Sequence, residues 1–287
     1  MEGRVTDFAS VGRRFDLDRA HQNLVKSAQL NVQGSQDMYQ ILKSMKINFR
    51  RLLPRNLAKS PTSSRGNFTS FLINNLIKDG NFRNYLEIGS QFGYTLEAVN
   101  IPNRTGVDPN PRHNLKRLPK GVKSFNITSD EFFAQANTKN WNFDFIFIDG
   151  LHVFSQVYKD FINSCNLLTE GGLILLDDVI PVDSFSADTD QIRAVSKRNL
   201  NGNDSKSWQG DCFKLLHLIA NELPFMDIKT FIYPGNAQTL IKLKSLNNKL
   251  EYSQDLYKKY NVSKFEETFR DFKSASELYN FEFGWNI

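Results

Sequence analysis

Two apolar runs, Phe143 to Asp149 (FDFIFID) and Leu173 to Asp178 (LILLDD), constrain the fold of this chain more than any other feature. Both are near-continuous rather than alternating, so each reads as a strand covered on both faces, which is the situation inside a parallel sheet. A parallel sheet needs crossover helices, and the intervals contain them. A helix over Ser155 to Leu168 and a Gly171-Gly172 turn separate the two runs. Upstream, Phe68, Phe71, Leu72, Leu76 and Ile77 recur at helical spacing before Gly80. Strands are expected around Tyr85 to Ile88, Arg104 to Asp108 and Lys123 to Asn126, with a short helix over Tyr94 to Val99. Thr128 and Glu131 have the spacing of a capping box that opens the next helix. Downstream come a helix over Asp211 to Leu223 and two runs, Ile228 to Tyr233 and Gln238 to Leu243, facing each other across Pro234-Gly235-Asn236 as an antiparallel hairpin. The alternation predicts an α/β, Rossmann-like, doubly wound sheet of seven strands ending in that hairpin.

The 287 residues, 40% of them hydrophobic, suffice for one good-sized core with additions at the ends. The expected division is a helical extension over 1–65, the main domain over 66–247 and a helical, aromatic tail over 248–287. Within the extension, helices are expected near Leu17 to Leu30 and Ser35 to Met45, and a PTSSRGN loop (61–67) closes it. In the tail, Ser263 and Glu266 have capping-box spacing before Phe265, Phe269 and Phe272. The segment 182–208 is polar and too long for an ordinary connection, as lids and binding loops are. Basic residues number 36 and acidic ones 31, mixed along the chain, which does not argue for nucleic acid. Cys165 and Cys212 are too few for a disulfide framework. No run of about 18 apolar residues and no leader-like segment occurs, so a cytoplasmic protein without a membrane partner is expected.

One stretch points to a ligand. Asn84 to Thr95 (NYLEIGSQFGYT) turns from a buried strand into a loop with Gly89 and Gly93, and Asp108 follows Glu87 at about the spacing that sets an acid on ribose hydroxyls. Taken with GVD, FDFIFIDGLH, GGLILLDD and the terminal hairpin, it resembles the class I S-adenosylmethionine-dependent methyltransferases over roughly residues 68–244. The likeness is greatest to small-molecule O-methyltransferases whose first motif reads E-I-G-x-x-x-G-x-S/T. Gln91 stands where the commoner motif has a middle glycine. The resemblance implies that Glu87, Gly89, Ser90 and Gly93 surround the methionine part of the cofactor and that Asp108 accepts from the ribose. It sets Thr128 and Ser129 near adenine and Asp149 beside the sulfonium. Gly89 and Gly93 also suit plain turns, Asp108 a loop cap, and Thr128 a helix cap.

The implied reaction is in-line methyl transfer to oxygen on a small molecule, a saccharide among the candidates, for which the protein aligns the partners and removes a proton. His152, three residues past Asp149, has the ordinary pKa of a general base, or else serves the loop structurally. Asp149, Asp177 and Asp178 could together hold Mg2+, as in some relatives, or else divide between cofactor and loop capping. In WQGDCFK, Asp211 suits an N-cap and Trp208 packing or a sugar platform. His217 reads as a satisfied core histidine, while His113 and His21 show no evident partner. The alternatives are an NAD-dependent oxidoreductase, which G-x-x-x-G disfavours, and a non-catalytic assembly module on the same fold. A homo-oligomer is also open.

Overall fold

The computed structural model describes residues 68–113, 118–232, 237–244, 249–270 and 272–283. The expected helices near 17–30 and 35–45, the 61–67 loop, His21 and the 234–236 turn lie outside the described residues. Helix α1 (Phe68–Leu76) leads into β1 (Asn84–Ile88), α2 (Tyr94–Ala98), β2 (Asn103–Val107), β3 (Val122–Phe125), α3 (Ser129–Lys139), β4 (Phe143–Ile148), α4 (Phe154–Leu167) and β5 (Leu168–Leu176). Then follow α5 (Gln191–Leu200), α6 (Phe213–Glu222), β6 (Met226–Ile232), β7 (Gln238–Leu243), α7 (Gln254–Asn261), α8 (Phe265–Thr268), α9 (Phe272–Leu278) and β8 (Phe281–Phe283).

The strands form one sheet in the order β3-β2-β1-β4-β5-β7-β6-β8. β1 to β5 pair in parallel, and β7 runs antiparallel to both β5 and β6. The near-continuous apolar strand β4 sits at the centre, with Phe145, Ile146 and Phe147 at most 1% exposed, as coverage on both faces requires. Strand order reverses between β1 and β4, which opens a crevice at their carboxyl ends.

Three expectations are corrected. The sheet has eight strands, not seven, because β8 pairs in parallel with β6 and covers what would otherwise be an unpaired edge. Gly171 and Gly172 are not a turn. They lie inside β5, where the register shifts between Phe143 and Phe145, and a Cβ on Gly172 would come within 3.0 Å of the Asp144 carbonyl. The Ser263 capping box does not form, since α8 is a single turn with Lys264 at its N-cap. Phe265 and Phe269, packed on Phe213 of α6, set the chain's course there instead. The well-capped helix of this region is α7, whose cap Ser253 accepts from the Leu256 N–H.

Candidate active site

A cavity of about 740 Å³ opens at the carboxyl ends of β1, β2 and β4. Its floor depends on Gly89, which has φ of 89° and whose Cβ, if present, would fall 1.9 Å from the Asp149 carbonyl. Only glycine lets the ends of β1 and β4 approach so closely. The loop beyond is tied to β2 and β3. The Gln91 N–H donates to Asp108 Oδ2 at 2.9 Å, and the Asn110 N–H donates to Oδ1 at 2.7 Å. His113, for which no partner was evident, bridges the Gln91 carbonyl (3.1 Å) and the Ser124 hydroxyl (2.9 Å) and packs against Gly93. Ser90 lies under the loop at 3% exposure, beside Gly106.

The electrostatics of the cavity are one-sided. Glu87, Asp108, Asp130, Asp149 and Asp160 line it, and among its lining residues there is no lysine or arginine. Glu87 is 3% exposed and accepts from the Tyr85 hydroxyl at 2.8 Å. Burial pushes its carboxyl up to about 8, with Asp108 adding to the rise. Asp149 is raised well above the usual carboxylate range by burial first, then by Asp177 and Asp178. Such a set favours a cationic ligand, whose charge would stabilise the ionised carboxylates.

His152 stands on the loop from β4 to α4. Its Nδ1 is 3.1 Å from Asp178 Oδ2 and its Nε2 is 3.9 Å from Asp149 Oδ1. Burial lowers its pKa to about 4, so the imidazole is neutral at neutral pH, and burial raises Asp178 to about 8. Trp208 meets the imidazole edge to face at 5.2 Å, while its Nε1 donates to the Asp188 carbonyl at 2.6 Å. Gly210, at φ of 61°, passes so close to the His152 carbonyl that a Cβ there would lie 1.7 Å from it. Asp211 does not cap its own helix as expected. Its carboxylate accepts from the Phe154 N–H at 2.6 Å and so caps α4, because the WQGD segment crosses directly over that helix's start.

Of the three expected metal-ligating aspartates, two cluster. Ligand atoms of Asp149, His152 and Asp178 all lie within 4.8 Å of one another. His152 joins them, and Asp177, whose Oδ1 accepts from Gln238 Nε2 (3.0 Å) and the Asp178 N–H (2.9 Å), also makes a side-chain hydrogen bond with Asp149. Thr128 forms the expected capping box with Glu131 while also lining the cavity with Ser129. Beside them are residues that sequence inspection missed, Asp130, Gln156 and Asp160. The last two are four apart on α4 and so share a helix face, a signal readable once that helix is placed.

The polar segment 182–208 is not a bare loop. It contains α5, whose cap Asp190 accepts from the Arg193 N–H, and it is organised by Arg198 at 0% exposure. Arg198 forks onto both oxygens of Asp183 at 2.9 and 2.7 Å and donates to the carbonyls of Ser205 and Ser207. This staple carries Gln191 and Trp208 to the cavity wall. His217 is held by the Tyr279 hydroxyl at 2.9 Å, away from the cavity.

Residues 86–179 match the model of a family described as a methyltransferase domain. No curated protein matches the chain. Among solved structures, the chain is similar to an O-methyltransferase from Bacillus cereus in complex with SAH, at 18% identity over 78% of this chain and 97% of that one, with a TM-score of 0.45. It is also similar to the O-methyltransferase TomG from Streptomyces achromogenes, involved in tomaymycin synthesis and in complex with SAM. There the identity is 14% over 70% of this chain and 96% of that one, with a TM-score of 0.44.

Proposed function

We propose that this chain, whose residues 86–179 match a methyltransferase-domain model, uses S-adenosylmethionine to methylate an oxygen of a small hydroxylated acceptor, with sugars among the candidates. The observation that carries the proposal is the acidic lining of the cavity, which includes five carboxyl groups and no lysine or arginine. The donor has a sulfonium and an ammonium against one carboxylate, and it matches such a lining. NAD would bring a pyrophosphate to a lining that offers it no lysine or arginine.

In this reading Glu87 takes the ammonium, and its buried carboxyl ionises as the cation arrives. Asp108 has lone pairs left after the Gln91 and Asn110 N–H groups, and these suit ribose hydroxyls. The cofactor supplies the activated methyl group on a good leaving sulfur. His152, neutral above about pH 4, takes the acceptor's proton at Nε2 while Nδ1 stays turned to Asp178. Gly210 and Asp211 fix the His152 loop, and Trp208 shields the imidazole from water.

A second reading is favoured by the cluster of Asp149, His152 and Asp178. Two carboxylates and an imidazole fit a divalent transition ion such as Mn2+ better than Mg2+, which prefers oxygen alone. Such an ion would lower the pKa of the acceptor hydroxyl, and His152 would be its ligand rather than the base.

The test is transfer of a labelled methyl group from S-adenosylmethionine to a panel of hydroxylated sugars and phenols. His152→Gln should lower kcat/KM by about 10²- to 10⁴-fold. If EDTA leaves the wild-type rate intact, His152 acts as the base. If EDTA abolishes it and Mn2+ restores it, the metal reading holds. Methylation of no acceptor in the panel, with S-adenosylhomocysteine still bound, would leave the assembly-module alternative standing.

A further inference from the structure

The C-terminal tail builds a second cavity against α6, of about 300 Å³, which shares no lining residue with the acidic crevice. That volume is at the lower end for small-ligand sites. His217 of α6 forms part of its wall. Asn221 Nδ2 donates to the His217 carbonyl at 2.7 Å and reaches Nδ1 at 3.2 Å, and the Tyr279 hydroxyl lies 2.9 Å from the same nitrogen. The carbonyl fixes the amide as a donor, so Nδ1 accepts and the ring proton sits on Nε2. Burial lowers the pKa of this ring, which is therefore neutral and carries that single proton. No hydrogen bond joins Nε2 to a described residue. Ser263 and Thr268 also line the cavity, and their hydroxyls make no hydrogen bond to a described residue. Lys264 and Arg270, both exposed, stand there against one carboxylate, Glu267. The Lys264–Glu267 pair, at 3.4 Å, has side chains 71% and 55% exposed and so restrains Lys264 only weakly. Leu278, at 41% exposure, gives the cavity an apolar part.

We infer that this tail cavity binds a small phosphate monoester, with its phosphoryl oxygens on Lys264, Arg270 and the His217 Nε2–H and its organic part on Leu278. A guanidinium fork and an ammonium both favour oxyanions. The number of donors decides for phosphate over carboxylate. Two carboxylate oxygens accept about four hydrogen bonds, whereas the ammonium, the guanidinium, the imidazole N–H and two hydroxyls together offer more than that. Three phosphoryl oxygens accept a larger share, and the nearly double negative charge of a monoester engages both cations. Binding here does not depend on what the acidic crevice holds.

The experiment is calorimetric titration of the full chain at pH 8 with phenyl phosphate and with benzoate, which carries a carboxylate on the same ring. Phenyl phosphate should bind one-to-one and about tenfold or more tighter than benzoate, the scale of one hydrogen bond to a charged group. Lys264→Gln combined with Arg270→Gln alters exposed side chains only, so the fold survives, and it should weaken phenyl phosphate by about tenfold or more. Each single substitution should show part of that loss. Asp108→Ala, in the crevice, should leave phenyl phosphate binding unchanged. No saturable binding of phenyl phosphate, benzoate bound as tightly, an affinity that the double variant leaves intact, or one that Asp108→Ala abolishes would overturn the assignment.

Discussion

At the end of β1, Glu87 combines 3% exposure with a Tyr85 hydroxyl as its donor, and its charge is therefore costly until a cation arrives. The consequence for stability has a definite sign. The unfolded chain releases this proton near the ordinary value of 4.5, whereas the folded chain holds it to about 8. Between those values the folded state binds more protons, so stability is greatest on the acid side of the window and falls as pH rises from 4.5 through 8. Asp178, raised to about 8, and Asp160, raised to about 6, tilt the curve the same way. Glu87→Gln should flatten the decline of the thermal midpoint between pH 5 and pH 9, measured without ligand. A wild-type midpoint that climbs over this range would contradict the burial argument. Glu87 and Asp108 were legible in the sequence because motif and spacing are local. His113 was not, since its partners Gln91 and Ser124 come together only when β2 and β3 pair.

Among the elements, the segment with α5 departs most from its sequence. A polar stretch of mixed charge reads as loop, yet Arg198 is fully buried and forked onto Asp183. Burial of an arginine depends on a partner fifteen residues back and on carbonyls supplied later by Ser205 and Ser207, which no periodicity announces. Arg198→Met leaves the Asp183 carboxylate without its partner and should cost about 3 kcal/mol in urea unfolding, toward the low end for a broken buried pair because Asp183 is 18% exposed. Limited proteolysis should then cut first between 183 and 207. Unchanged stability and an unchanged cleavage pattern would mean that the staple does not organise this wall. Thr128 makes the opposite case. Its capping box was readable because all of its bonds lie within three residues, whereas the Ser263 box lost to aromatic burial against Phe213. The hairpin strand β7 was found at its observed bounds, but β8 was missed because three residues of an aromatic tail carry no strand period of their own.

Over the whole molecule, the order β3-β2-β1-β4-β5-β7-β6 gathers acids from distant parts of the chain at one crevice. Glu87 is the penultimate residue of β1, Asp108 follows β2, Asp149 follows β4, and Asp177 and Asp178 follow β5. The formal net charge of the chain is +5, so the acidity of this cavity is a local arrangement and not a reflection of composition. Strand ends were legible from apolar runs, and with them most of the acids. Asp160 and Gln156 were not, because their role depends on which face of α4 turns to the cavity. Among the described residues no helix is long and apolar enough to cross a membrane. This crevice holds S-adenosylmethionine and its demethylated product in the reading proposed above, and calorimetric titration of the full chain with that product, S-adenosylhomocysteine, tests it most directly. Binding should be one-to-one and weakened by about tenfold or more in Asp108→Ala through loss of charged hydrogen bonds. No binding to the wild type, or tighter binding of NAD than of S-adenosylhomocysteine, would contradict it.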